Sequence, residues 1–152
     1  PPKRIEKSEW MIEKISEIGV HKVTFIYTRN SERRKIKLDR LEKISIGAMK
    51  QSNSLKKLKI EEITSFQNFL KNFNKSGEKF IAHMDKENKT IKTIFKKNKS
   101  YTILIGPEGD FSPNEIKDAY KKGFKGISLG KNTLKTETAS IIACYSIIQL
   151  NH

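Results

Sequence analysis

The chain carries, between residues 104 and 116, the stretch Leu104-Ile105-Gly106-Pro107-Glu108-Gly109-Asp110-Phe111-Ser112-Pro113-Asn114-Glu115-Ile116. An apolar run ends here in a turn that contains two glycines, and a serine, a proline and a glutamate then follow in the capping-box pattern that begins a helix. A second turn of this kind, Ser128-Leu129-Gly130 with Leu134-Lys135-Thr136-Glu137-Thr138-Ala139, also precedes a helical pattern. Open α/β sheets bind ligands beyond the carboxyl ends of their strands, so the two turns together predict one ligand site.

Short apolar runs alternate with helical patterns along the rest of the chain. The hydrophobic spacing predicts helices over residues 8–18, 38–49, 60–73, 113–122 and 136–150, and strands over 23–27, 79–84, 101–105 and 126–129. Residues 29–37 are polar and basic and are therefore expected to form a loop. This alternation predicts an α/β fold with a largely parallel sheet, and the length of 152 residues fits one domain, 1–152.

The charge of the chain indicates an anionic partner. The formal net charge is +14, from 31 Lys and Arg against 17 Asp and Glu. Such an excess attracts polyanions, and neutralisation of phosphates dominates nonspecific affinity for nucleic acids. The alternative is that the lysines only keep the surface solvated. Only five of the 31 cations are arginine, the residue better suited to specific phosphate contacts, and this favours the alternative.

Several classes of site are disfavoured by what the sequence lacks. There is no G-x-G-x-x-G, no P-loop, no H-E-x-x-H and no G-x-S-x-G, so nicotinamide, ATP, zinc and serine-hydrolase chemistry are not indicated, and no metal site is expected. Cys144 is the single cysteine, and its apolar surroundings predict a buried, inert thiol. No signal peptide and no apolar run of about 20 residues is present, so we expect a cytoplasmic protein without membrane contact.

Five blocks of the chain, in order, resemble the RsmE family of small-subunit ribosomal RNA methyltransferases, which act on N3 of uracil. Residues 105–115 resemble its I-G-P-E-G-G-F-S-x-x-E signature, and residues 128–139 resemble its S-L-G … L-R-T-E-T-A block. The earlier blocks are Lys14-Ile15-Ser16-Glu17-Ile18-Gly19-Val20, Leu38-Asp39-Arg40-Leu41-Glu42-Lys43-Ile44 and Gln51-Ser52. The similarity covers nearly the whole chain.

The resemblance implies a SPOUT fold: an α/β domain with helices on both faces of a mostly parallel sheet and a deep trefoil knot near its C-terminus. It also implies a homodimer and a site for S-adenosylmethionine. By motif match, the cofactor-binding residues would be Ile105, Gly106, Pro107, Glu108, Gly109, Leu129, Gly130 and Leu134, with Ala82 and His83 at the preceding strand end. His83 is equally compatible with a surface position. Family members carry a β-barrel RNA-binding domain in front, and this chain begins near the usual start of the catalytic domain.

Methyl transfer to a uracil nitrogen requires removal of a proton or stabilisation of the uracil anion. Glu137 and Asp110 are candidates for the first role, Lys135 and Arg40 for the second. An equal alternative is that Glu137 caps the helix predicted over residues 136–150. The expected contacts to the RNA backbone are made by a larger basic set, which comprises Arg29, Arg33, Arg34, Lys35, Lys56 and Lys57.

The chain departs from the family pattern at three positions. Lys135 stands where the family has arginine, Asp110 replaces a glycine, and Ser54 falls where another arginine is expected. The loss of two arginines weakens the expectation for RNA binding more than that for the cofactor. Two alternatives therefore stay open: a methyltransferase of the same fold acting on tRNA, and a basic RNA-binding or ribosome-assembly module without catalysis.

Overall fold

The computed structural model describes residues 1–54, 56–74, 76–85 and 87–151, and for Lys92 only the backbone. Within these residues it contains six helices and six strands. The helices are α1 (Ile5–Ile18), α2 (Leu38–Gln51), α3 (Phe66–Asn72), α4 (Ile91–Ile94), α5 (Pro113–Lys121) and α6 (Thr136–Asn151). The strands are β1 (Lys22–Tyr27), β2 (Lys59–Ser65), β3 (Glu78–Ala82), β4 (Lys89–Thr90), β5 (Tyr101–Ile105) and β6 (Lys125–Ser128).

Every strand pairing in the described residues is parallel, as the alternation of strands and helices predicts. Strands β1 and β2 form one pair, and β4, β6, β3 and β5 form a second sheet in that order. A cleft of about 1080 Å³ lies between the two, lined by Ile26 of β1, Ile103 of β5 and Cys144 of α6 among others. The α/β class is thus confirmed, although the described strands pair as two sheets rather than one.

The start of α5 forms for the local reasons visible in the sequence. The Ser112 Oγ accepts a hydrogen bond from the Glu115 amide at 3.4 Å, and the Glu115 Oε2 accepts one from the Ser112 amide at 2.8 Å. Pro113 occupies the first helical position, where a missing N–H costs nothing. The helix ends before Gly123, whose φ of +83° allows the chain to turn into β6.

Three apolar clusters hold the elements together. One joins α1, β1 and α2 around Ile12 and Phe25, a second joins α3, β5 and α5 around Phe66 and Leu104, and a third lies between β3, β6 and α6. Cys144 packs against the first cluster, and burial raises the pKa of its thiol to about 11. That agrees with the expectation of an inert cysteine, because the reactive thiolate is then scarce at neutral pH.

The helix predicted over residues 60–73 is wrong in its first half. Residues Lys59–Ser65 form β2, and only Phe66–Asn72 form a helix, which begins where the Ser65 Oγ accepts a hydrogen bond from the Asn68 amide at 3.1 Å. Pairing with β1 overrides the helical spacing of the apolar side chains. The short elements β4 and α4 were not predicted. Among the described residues, no helix is both long and apolar enough to cross a lipid bilayer.

Candidate ligand site at the carboxyl edge of the sheet

The two glycine turns lie next to each other, as the sequence predicts. Strand β3 pairs with both neighbours, and its last residue, Ala82, is in register with Ile105 of β5 and with Ile127 of β6. Parallel strands share one carboxyl edge, so the turn that follows β5 and the loop that follows β6 leave the sheet side by side. His83 leaves the same edge from β3, between them.

One hydrogen bond joins the two turns directly. The Thr136 hydroxyl, at the first residue of α6, donates to the Gly106 carbonyl at 2.9 Å, and Thr136 is buried. The chain that leaves β6 therefore crosses the end of β3 and is fixed to the end of β5. These two turns, residues 106–110 and 129–136, are called here the first turn and the second turn.

The first turn is closed by a backbone hydrogen bond and held by one carboxylate. The Asp110 amide donates to the Pro107 carbonyl at 2.9 Å. Asp110 has a φ of +57°, a left-handed conformation that aspartate tolerates better than most residues. Its Oδ1 accepts from the Phe111 amide at 2.7 Å, and its Oδ2 accepts from the Met84 amide at 3.4 Å, which ties the first turn to the loop after β3.

Gly106 and Gly130 occupy different environments in the two turns. A Cβ on Gly106 would lie 3.1 Å from the Asp110 Oδ1 and 3.2 Å from the Phe111 ring, so the protein itself fills that space. Gly130 has a φ of +144°, which side chains rarely adopt, and a Cβ there would meet no atom within 4 Å. The second turn thus has a glycine facing open space, which allows a ligand to approach the backbone closely.

The other residues expected at the cofactor differ in exposure. Glu108 and Gly109 are exposed, whereas Pro107 and Leu134 are half-buried. Leu129, just after β6, is half-buried and packs against the apolar cluster of β3, β6 and α6. The half-buried strand-end residues Ala82 and Ile105 pack against the same cluster. The Glu108 Oε1 accepts a hydrogen bond from the Lys3 amide at 3.3 Å.

His83 has a specific partner at this edge. Its Nε2 lies 2.8 Å from the Tyr120 hydroxyl, and its carbonyl accepts a hydrogen bond from the Asn88 Nδ2 at 2.9 Å. Burial raises the pKa of the Tyr120 hydroxyl, and the charge of Asp85 raises it further. Tyr120 is therefore a neutral hydrogen-bonding partner for the imidazole at physiological pH.

Of the four candidates for catalysis, Asp110 holds the first turn as described above. The other three lie in different environments. Lys135 is exposed in the second turn. Glu137 is buried at the start of helix α6, and its Oε1 lies 3.6 Å from the Lys7 Nζ. Arg40 forms a bidentate ion pair with Glu9. The Arg40 Nε lies 2.6 Å from the Glu9 Oε1, and the Arg40 Nη2 lies 2.9 Å from the Glu9 Oε2. The structure thus gives Glu137 and Arg40 partners within the fold.

The basic residues expected at RNA fall into two groups. The loop after β1 spans residues 28–37 and is called here the basic loop. It contains the first group: Arg29, Arg33, Arg34 and Lys35. Lys56 and Lys57 are exposed just before β2. Because Lys22 of β1 pairs with Lys59 of β2, the second group lies at the amino ends of these strands and the basic loop at the carboxyl end of β1.

The basic loop is attached to the first turn by contacts that sequence reasoning did not identify. The Arg29 amide donates to the Glu115 Oε1 at 2.8 Å, and the Asn30 Nδ2 donates to the carbonyls of Gly109 and Asp110, at 3.0 Å each. These partners are separated by 79 to 86 residues in sequence. Asparagine in a polar loop gives no pattern that would have signalled the contact.

Nothing in the described part of the chain assembles three or more His, Cys, Asp or Glu side chains in a way that could hold a metal ion. The groups present at this edge include backbone amides and carbonyls, the Lys135 ammonium, the Asp110 carboxylate and the hydrogen-bonded His83 imidazole.

Comparison with known proteins agrees with this geometry. The sequence family described as "RNA methyltransferase domain" matches residues 1–149. The ribosomal RNA small subunit methyltransferase E of Rickettsia conorii is 35% identical over 130 residues, which are 84% of this chain and 53% of that protein. The protein of the same name from Buchnera aphidicola is 34% identical and covers 91% of this chain and 56% of its own length. The chain spans about half the length of these relatives.

Solved structures give the same result. A structure described as a probable rRNA-methyltransferase from Porphyromonas gingivalis superposes with a TM-score of 0.93 at 42% identity, covering 99% of this chain and 65% of that one. A methyltransferase from Legionella pneumophila, solved in complex with the cofactor SAM, superposes with a TM-score of 0.87 at 28% identity, covering 99% of this chain and 63% of that one. With a family match across nearly its whole length and these relatives, the chain belongs to the RNA methyltransferase domain family that includes the ribosomal RNA small subunit methyltransferase E proteins.

Proposed function

We propose that this chain is the catalytic domain of an S-adenosylmethionine-dependent methyltransferase that modifies N3 of a uridine in small-subunit (16S) ribosomal RNA. The observation that carries the proposal is the Thr136–Gly106 hydrogen bond, which joins two glycine turns into one site at the carboxyl edge of a parallel sheet. The names of the relatives support the ribosomal substrate, and the SAM-bound Legionella structure supports the cofactor.

The residues present fit this cofactor. Gly130 leaves open space beside its backbone, and the first turn is held rigidly by Asp110 and Thr136. The backbone of residues 105–109 and 129–134 would hold the adenosyl group, with Ala82 and His83 at the third strand end. S-adenosylmethionine, when bound, supplies a methyl carbon already activated by its sulfonium.

What the chain must then provide is orientation and charge. Lys135 is exposed in the second turn, so its ammonium is available to stabilise a uracil anion. The buried Glu137 carboxylate lies 3.6 Å from the ammonium of the exposed Lys7, and Arg40 is held by Glu9. These contacts support structural roles for both in the single chain. Both carboxylate oxygens of Asp110 accept backbone hydrogen bonds. Of the four candidates for catalysis, Lys135 therefore has the best support.

The remaining features of the proposal concern topology and assembly. The C-terminal knot is proposed from the family motifs. The chain after β6 crosses the end of β3 and bonds through Thr136 to Gly106 after β5, which is compatible with that topology. A homodimer is supported by three exposed apolar side chains on the adjacent helices α1 and α6: Trp10 (44% exposed), Ile142 (36%) and Tyr145 (53%). Activity on ribosomal RNA would place the protein in the cytoplasm.

The experiment that tests the proposal has two stages. Titration calorimetry should first show binding of S-adenosylmethionine to the wild-type chain. Transfer of a labelled methyl group to small-subunit rRNA from cells that lack the modification should follow, with 3-methyluridine identified by mass spectrometry. No binding of the cofactor would refute the proposal. Binding without transfer would favour the non-catalytic RNA-binding module, and transfer to tRNA alone would favour the other methyltransferase of this fold.

A further inference from the structure

We propose that Asn30 is a positioning residue that links the basic loop to the first turn, so that RNA binding and cofactor binding strengthen each other. The proposal rests on the function proposed above, in which the basic loop contacts RNA and the first turn contacts S-adenosylmethionine. Asn30 is not among the residues proposed to contact RNA or the cofactor. Its proposed role is to couple the free energy of RNA binding to that of cofactor binding.

The contact between Asn30 and the first turn is double and close. Its Nδ2 donates to both the Gly109 and the Asp110 carbonyls at 3.0 Å. A Cβ built on Gly109 would lie 3.2 Å from the Asn30 Cβ, so the two backbones approach as near as a glycine permits. One side chain thus fixes the orientation of two successive peptide groups in the turn that would hold the cofactor.

Asn30 is itself held in place by its neighbours. The Thr28 amide donates to the Ser31 Oγ at 2.9 Å, and the Ser31 amide donates to the Thr28 carbonyl at 3.2 Å. Thr28 and Ser31 are both buried, and the Arg29 amide between them is bound by Glu115. Residues 28–31 therefore form a fixed unit, and a movement of this unit is transmitted to the first turn through Asn30.

The cations expected at RNA follow this unit directly. Arg33, Arg34 and Lys35 lie two to four residues after Ser31, and the Arg34 guanidinium sits 5.4 Å above the centre of the Tyr27 ring. A polyanion bound to these side chains would favour the loop position in which Asn30 bonds the first turn, and a cofactor bound at the first turn would favour the same position. Because binding linkage is reciprocal, cofactor binding would raise RNA affinity by the same factor.

The test measures the link itself. The dissociation constant of S-adenosylmethionine is determined for the wild type with and without saturating, unmodified small-subunit rRNA made by transcription in vitro. The ratio of the two constants is the coupling factor, and we expect about fivefold or more for the wild type. Asn30→Asp puts a carboxylate oxygen where the Nδ2 faces two carbonyls, and the factor should fall below about twofold, since the linking contact is lost.

Two further variants separate this role from general damage. Asn30→Ala removes the donor without adding charge and should lower the coupling factor to the same degree. Asn114→Asp, at an exposed position of α5, adds the same charge and should keep the wild-type factor. Simple destabilisation would lower the melting temperature and weaken the binding of both ligands. It would leave the ratio of the two S-adenosylmethionine dissociation constants unchanged.

The outcomes distinguish the two proposals. A wild type that fails to bind S-adenosylmethionine refutes the proposed function. A wild type that binds it with a coupling factor near one, or Asn30 variants that keep the wild-type factor, overturns the role of Asn30 and leaves the proposed function standing.

Discussion

Replacement of Thr136 by valine should weaken both the fold and the proposed cofactor site. Valine has nearly the shape of threonine but lacks the hydroxyl that donates to the Gly106 carbonyl at 2.9 Å. Thr136 is buried and Gly106 is half-buried, so the carbonyl would lose its partner at a position with reduced access to water. The net loss of such a bond is about 1.5 kcal/mol, allowing for a partly unsatisfied acceptor.

This loss has two expected readouts. The melting temperature should fall by roughly 3–6 °C at fixed protein concentration, given about 2–4 °C per kcal/mol for a chain of this size. The dissociation constant of S-adenosylmethionine should rise by up to about tenfold, because the turns of the free variant separate more easily and the cofactor must bring them together again. About 1.4 kcal/mol corresponds to that factor. Thermal unfolding by circular dichroism and titration calorimetry measure the two.

Thr136→Ser is the matched control, since it keeps the hydroxyl and removes only the methyl group. It should bind the cofactor nearly as the wild type does. The reasoning is refuted if Thr136→Val destabilises the fold but binds the cofactor with wild-type affinity, because the link between the turns would then be irrelevant to binding. It is also refuted if serine is as harmful as valine, since the hydroxyl would not be the cause.

Three further predictions concern single positions. Ser112→Ala removes the capping box of α5 and should lower the free energy of unfolding by about 1 kcal/mol in urea titrations, whereas Ser112→Thr should recover most of it. Gly130→Ala should weaken cofactor binding, because alanine is strained at a φ of +144° even though its Cβ has room; an unchanged dissociation constant would contradict the close approach proposed there. The Lys96 ammonium, hydrogen-bonded to Glu78, holds the pKa of that carboxyl below its ordinary value of 4.5, with Lys125 adding to the effect. A lowered folded-state pKa contributes stability above the unfolded pKa, so the stability advantage of the wild type over Glu78→Gln should be present at neutral pH and disappear as the pH falls below about 4.5. An advantage that persists in acid would show that the charge of Glu78 is not its source.

Features set by neighbouring residues could be predicted from the sequence. The start of α5 is one, because Ser112, Pro113 and Glu115 make the cap among themselves. The common edge of the two turns is another, because parallel pairing follows from the alternation of strands and helices. Both depend on local patterns that the sequence displays directly.

Features set by distant partners could not be predicted in this way. The spacing of Ile60, Ile63 and Phe66 fits a helix, and only pairing with β1 makes residues Lys59–Ser65 a strand. The signal that was available is Ser65, a good N-cap in the middle of the supposed helix. The ion pair of Arg40 with Glu9 is invisible for the same reason, since the two lie on different helices, α2 and α1.

The buried carboxylate of Glu115 serves two distant segments at once. One oxygen caps α5 through Ser112, and the other holds the amide of Arg29. If the basic loop binds RNA as proposed, a mutational screen scored by RNA affinity would rank Glu115 beside the arginines of that loop, although its buried side chain cannot contact RNA. Salt titration distinguishes residues that contact phosphate from buried residues that only position them. Loss of a phosphate contact reduces the slope of log affinity against log salt concentration. Loss of a positioning residue lowers the affinity at every salt concentration and leaves that slope unchanged.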